Sequence, residues 1–193
     1  MPDTAPTSQQ SANIVLVPCP VPWIVLPCMS GITLFHFEDD EPECTVVLGG
    51  GRLTANGRFD SRRIEITFSA CVESRFRFLG DEYELRDEGF TLDSPAERFF
   101  AADPANYLAW QRQTWQRDGL CPESGFWVAL EPLEIDPHAR RRRHHYVVAG
   151  RNGYIELFAE AYSWKEWIWK DVNREDVPAS SPVVATGSSG DIT

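Results

Sequence analysis

The stretch Ile64-Glu65-Ile66-Thr67-Phe68-Ser69-Ala70-Cys71-Val72-Glu73-Ser74-Arg75-Phe76-Arg77-Phe78 alternates from end to end. Ile64, Ile66, Phe68, Ala70, Val72, Ser74, Phe76 and Phe78 share one parity. Glu65, Thr67, Ser69, Cys71, Glu73, Arg75 and Arg77 share the other. Successive side chains of a strand point to opposite faces, so the first set is predicted to face a core and the second to face water. One-sided burial of this kind belongs to antiparallel sheets. The run is long for one strand, which places a bend or bulge near Ser69–Cys71.

Outward from this stretch, further strands are expected at Gly31–Phe37 and Cys44–Leu48, flanking the acidic turn Glu38–Glu43. Gly49-Gly50-Gly51 reads as the next connection. Phe126–Leu130 and His145–Ala149 are short apolar runs, and Tyr154–Tyr162 alternates again. Gly150-Arg-Asn-Gly153 between two such runs is a hairpin signal, because Asn and Gly accept the positive φ of tight turns. Trp164–Trp169 continues as a strand or opens a helix. One region is helical. Ser94-Pro95-Ala96-Glu97 is a capping box with Pro at the first helical position, and Asp103-Pro104 restarts the signal with Asp103 as N-cap. Gly119 ends it. Helices are therefore predicted over 95–102 and 104–118. The fold class is mainly β (α+β), an antiparallel sandwich or open barrel with this helical segment packed on one side.

The chain has 193 residues, the length of one domain. Residues 1–12 and 178–193 are small, polar and Pro-containing and read as disordered arms around a domain at 13–177. Ile14–Phe35 carries no charge, but Pro18, Pro20, Pro22 and Pro27 interrupt it. Prolines would leave backbone groups unpaired in lipid, and no basic residue precedes the run, so extended segments lying on the domain are expected and a membrane anchor or signal peptide is not. The five Cys are irregularly spaced without any CxxC, which fits reduced thiols in a cytoplasm better than a disulfide framework. Sixteen of the 18 basic residues are Arg, a bias expected of a GC-rich, bacterial coding sequence.

A net charge of −11 disfavours general nucleic-acid binding, because phosphates are repelled, and favours a basic protein partner. No P-loop, GxGxxG, GxSxG or HExxH motif is present, so no cofactor is expected. His144 and His145 are adjacent, point to opposite faces of a strand and cannot jointly ligate one ion, so no metal is expected either. Glu123, Glu131, Glu156 and Glu160 are the carboxylates suited to acid/base work, and His145 joins Glu156 and Glu160 as a catalytic candidate. Glu156 and Glu160 share the parity of Tyr154, Phe158 and Tyr162, a face read as solvent-exposed. For binding, Trp164, Trp167 and Trp169 form an aromatic strip suited to a small aromatic or apolar ligand. Arg141 and Arg142, in the run Arg140–Arg143, suit an anionic group.

The leading functional expectation is a non-catalytic acidic binding protein, of inhibitor, immunity or accessory type. The alternative is a small cofactor-free enzyme of isomerase, cyclase or hydrolase type, with an aromatic-lined pocket inside the β fold. A third reading is an interaction component of a larger assembly, carried by the Pro-rich segment 14–30.

Overall fold

A computed structural model describes residues 14–26, 31–37, 42–77, 85–86, 88–131, 143–150 and 153–168, and the backbone of 185–187. The strands are β1 (Ile14–Pro18), β2 (Trp23–Val25), β3 (Thr33–Phe37), β4 (Glu43–Leu53), β5 (Phe59–Ser69), β6 (Glu73–Arg77) and β7 (Phe90–Leu92). After helices α1 (Pro95–Ala102) and α2 (Tyr107–Asp118) come β8 (Phe126–Ala129), β9 (His144–Gly150), β10 (Gly153–Ala159), β11 (Ala161–Ile168) and β12 (Ala185–Gly187). One sheet runs β6-β10-β9-β8-β1-β7; the other runs β12-β11-β5-β4-β2, with β3 also on β4. All pairings are antiparallel except β1 with β7. The molecule is a mainly β sandwich with two short helices, and the barrel is not closed. β12 falls within the segment 178–193 that composition assigns to a tail. Among the described residues no helix is long and apolar enough to cross a membrane.

The deciding stretch is two strands in different sheets, not one bent strand. Ala70 adopts φ 49°, in the left-handed region that a residue with a Cβ seldom enters. There the chain leaves β5 and crosses to β6 in the opposite sheet. The alternation holds on β5, where Ile64, Ile66 and Phe68 are all fully buried. It fails at the crossing, where Cys71 is buried and Val72 is exposed. Phe76 then packs against the inter-sheet core from β6. The Pro-rich segment makes a similar passage. β1 lies in one sheet and β2 in the other, with Cys19–Pro22 between them, so Pro20 and Pro22 sit where the chain changes sheets and needs no ladder donors, and Pro18 ends β1.

The glycine run belongs inside β4 and is not a connection, which corrects the sequence reading. A Cβ on Gly50 would fall 2.4 Å from Cγ1 of Ile64, and one on Gly51 would fall 2.0 Å from the Phe59 ring. The missing side chains make room for the neighbouring strand's residues. The helical prediction holds for α1, whose N-cap Ser94 accepts from the Glu97 N–H at 3.0 Å. Asp103 caps the end of α1, so α2 starts later than expected, at Tyr107, with Asn106 as N-cap. Phe99 and Trp110 stack at 4.8 Å to join the helices. Trp115 anchors α2, edge-on to Phe59, with its Nε1 donating to the Pro22 carbonyl at 3.1 Å.

Between the sheets Trp23, Phe68, Phe126, Tyr146, Tyr162 and Trp164 fill the interior. Trp23 stacks on Phe126 at 5.9 Å, and Phe126 meets Tyr162 edge-on at 4.9 Å. The space in which the enzyme alternative places its pocket is packed with rings. A second apolar cluster (Leu16, Leu85, Phe90, Trp127, Val147 and Tyr154) lies on the other face of the β6–β7 sheet. Both faces of β10 are thus buried, and the face expected to be wet is not.

Candidate functional site

Two of the catalytic candidates come together in the structure. His145 on β9 and Glu156 on β10 are diagonal neighbours, since Phe158 is the residue directly opposite His145. Nε2 of His145 stands 3.0 Å from Oε2 of Glu156, and Nε of Arg77 stands 3.6 Å from Oε1. The ring nitrogen is not aligned on the carboxylate, so the two meet at close range without a well-directed hydrogen bond. Phe158 stacks on the imidazole at 4.4 Å and Phe90 tilts against it at 5.8 Å. Burial pushes the Glu156 carboxyl up, but contact with His145 and the charges of His145, Arg75 and Arg77 outweigh it, so Glu156 titrates below its ordinary value. Both side chains are buried, His145 at 1% and Glu156 at 7% exposure, which corrects the exposed reading of Glu156. Glu160 stands apart, between β10 and β11, with its N–H donating to the Ser69 carbonyl at 3.0 Å.

An open cavity of about 570 Å³ lies elsewhere, on the helical side. Its walls come from Arg86 and Leu92 around β7, from Ala96, Glu97, Phe100 and Ala101 on α1, and from Tyr107 and Glu123. The segment before β8 fixes Glu123. The Cys121 N–H donates to the Val21 carbonyl at 2.8 Å, the Cys121 thiol donates to the Glu123 carbonyl at 3.2 Å, and Ser124, fully buried, bonds both the N–H and the carbonyl of Phe126. The Tyr107 hydroxyl, on the first turn of α2, donates to Oε2 of Glu123, and Gln111 Nε2 donates back to that hydroxyl at 3.3 Å. The Tyr107 ring is edge-on to Phe100 at 5.2 Å. Across the cavity Arg86 pairs with Glu97, which the capping box holds in the first turn of α1.

Burial is the largest influence on Glu123 and pushes its carboxyl up. The Tyr107 hydrogen bond opposes this, Glu97 adds to the rise, Arg86 draws it down, and the balance is a raised value. The same burial keeps the thiols protonated: Cys121 is pushed up to about 12, and Cys19, Cys44 and Cys71 are raised as well. All four are free and buried. Among the described residues no group of three His, Cys, Asp or Glu could hold a metal ion.

The structure divides the aromatic strip instead of displaying it. Trp164 is buried in the inter-sheet core, edge-on to Trp23 at 6.1 Å. Trp167, on the other parity of β11, is half-buried between the cations of Arg63 and Lys165, at 6.0 and 5.4 Å from its ring. Trp169, Arg141 and Arg142 lie outside the described residues. Of the cavity residues, sequence reasoning singled out Glu123. Tyr107 falls within the predicted helix 104–118 and Glu97 reads as part of a cap; Arg86 and Phe100 carry no signal. The capping box is the available clue, because it places Glu97 in the first turn of α1. No family model, no curated protein and no solved structure matches this chain.

Proposed function

We propose that this chain is a non-catalytic acidic binding protein whose recognition site is the cavity beside Glu123. The observation that carries the reading is the setting of that one carboxylate: half-buried, raised in pKa, held by a hydroxyl, and facing an open space between apolar walls. Small-molecule sites typically occupy roughly 300–1,000 Å³ and combine apolar lining with a few fixed polar groups, which matches this cleft. Leu92, Phe100 and the alanines of α1 supply contact area, and Glu123, Tyr107 and the Arg86–Glu97 pair supply orientation. The target is a small aromatic or apolar ligand, or such a group on a basic protein, which the net charge of −11 would draw in. Free, buried thiols support a reducing compartment such as the cytoplasm.

One observation favours an enzyme: a carboxyl of raised pKa beside a tyrosine hydroxyl is the usual make-up of a general acid. Against it, the second carboxylate of the described lining, Glu97, is taken up by its pair with Arg86. A thermal-shift screen of small aromatic and aliphatic compounds tests the reading, run on the wild type and on Ala101→Trp, which fills the cleft. Hits that stabilise the wild type and lose their effect in the Trp variant are expected, and the hits should be recovered unchanged. Hits indifferent to Ala101→Trp would remove the cleft from the account, and conversion of hits to products would favour the enzyme.

A further inference from the structure

Resting on the reading of the cleft as a binding site, we infer that it takes an ammonium group carried on an apolar, ring-sized body. Charge within the cleft points to the cation. The described lining has two carboxylates, Glu97 and Glu123, and one guanidinium, Arg86. Arg86 is paired with Glu97. The hydrogen bond to Glu123 comes from Tyr107, a donor without charge. Among the described lining residues the balance is one negative charge, at a carboxylate that burial has partly stripped of water, and a cation beside it would restore the lost solvation. An anionic ligand would be repelled by Glu123, and a neutral one would leave the deficit in place.

The walls argue for the apolar body. Leu92, Ala96 and Ala101 offer no polar side-chain atoms, and Phe100 is about half exposed, at 51%, although it touches Tyr107 edge-on. An apolar ligand would cover it, and a cation beside the Phe100–Tyr107 edge also gains from the faces of those rings. The same chemistry could arrive as a free arylalkylamine or as a lysine side chain, whose stem is apolar but has no ring.

Four probes separate these cases when titrated into the full chain: 2-phenylethylamine, 2-phenylethanol, 3-phenylpropionate and tetralysine. Backbone amide NMR shifts at Leu92, Ala96 and Ala101 report the cleft. The amine should perturb these amides with the highest affinity of the four. Its affinity should drop by about tenfold or more in Glu123→Gln, the usual worth of a charge-assisted contact. In the wild type it should also weaken as the pH falls through the Glu123 titration, which keeps the test valid if the Gln variant misfolds. Equal or stronger binding of the alcohol or the propionate in the cleft, or an amine affinity independent of pH and of Glu123→Gln, overturns the cation while leaving the binding site standing. Tetralysine perturbing the cleft more strongly than the amine overturns the ring-sized body. Silence of the cleft amides towards all four overturns both this inference and the reading beneath it.

Discussion

Nε2 of His145 stands 3.0 Å from Oε2 of Glu156 on the neighbouring strand, with Phe158 stacked on the imidazole and Phe90 tilted against it. Two groups that could act as acid and base are thus joined, and both are buried. Buried ion pairs stabilise little against an apolar replacement, while removing one partner is costly because the other is left unpaired. Glu156→Gln should therefore destabilise by about 1–3 kcal/mol near neutral pH in denaturant melts. The pH dependence carries a sign. A carboxylate whose folded pKa is depressed contributes stability above its unfolded pKa, and that contribution is lost as pH falls through the folded value. The wild type should lose stability on acidification below the ordinary carboxylate range, and Glu156→Gln should lose less. Identical acid profiles would show that the pair contributes nothing.

Glu123 has the opposite sign. Its raised folded pKa means that stability is full below the unfolded value and declines as pH rises through the raised value. Glu123→Gln should be more stable than the wild type at neutral pH, although it binds more weakly, as expected where a site holds an uncompensated charge for function. A variant that is both weaker in binding and less stable would instead make Glu123 a structural residue.

In the core, Phe68 is fully buried against Phe126 and Tyr146, at 5.9 and 5.3 Å. Phe68→Ala should cost about 3–5 kcal/mol in denaturant melts. Phe76, half-buried at the margin of the same core, should cost less. Equal losses would mean that β5 and β6 face the core alike, as a single strand would.

Gly50 tests the reading of β4. A methyl group there meets Ile64 at 2.4 Å and the Ile24 carbonyl at 3.1 Å, so Gly50→Ala should destabilise by about 1–3 kcal/mol through overpacking. A neutral or stabilising effect would indicate a loose connection in place of a central strand.

These residues also mark how far the sequence is legible. Periodicity reports one buried face well, so Ile64, Ile66 and Phe68 are placed correctly from spacing alone. It cannot report a second buried face, because the covering residues around β7 are distant in sequence and come from an acid-rich stretch. That is why Glu156 reads as wet and is dry. Gly49–Gly51 misleads for a related reason: glycine marks both turns and close approaches, and only the neighbouring strand distinguishes them. The cleft is legible in part. Ser94 and Glu97 announce the helix that forms one wall, and Glu123 stands out as a carboxylate, but the meeting of Tyr107 with Glu123 depends on how α2 returns over the sheet.

The proposed ligand site is the cleft between α1, Tyr107 and Glu123. Its most direct test is a crystal structure of the protein with the strongest stabilising compound from the thermal-shift screen. The compound is expected between Leu92 and Phe100, with a polar group within hydrogen-bond distance of the Glu123 carboxyl. The same compound bound at another surface, with the cleft filled only by water, would contradict it.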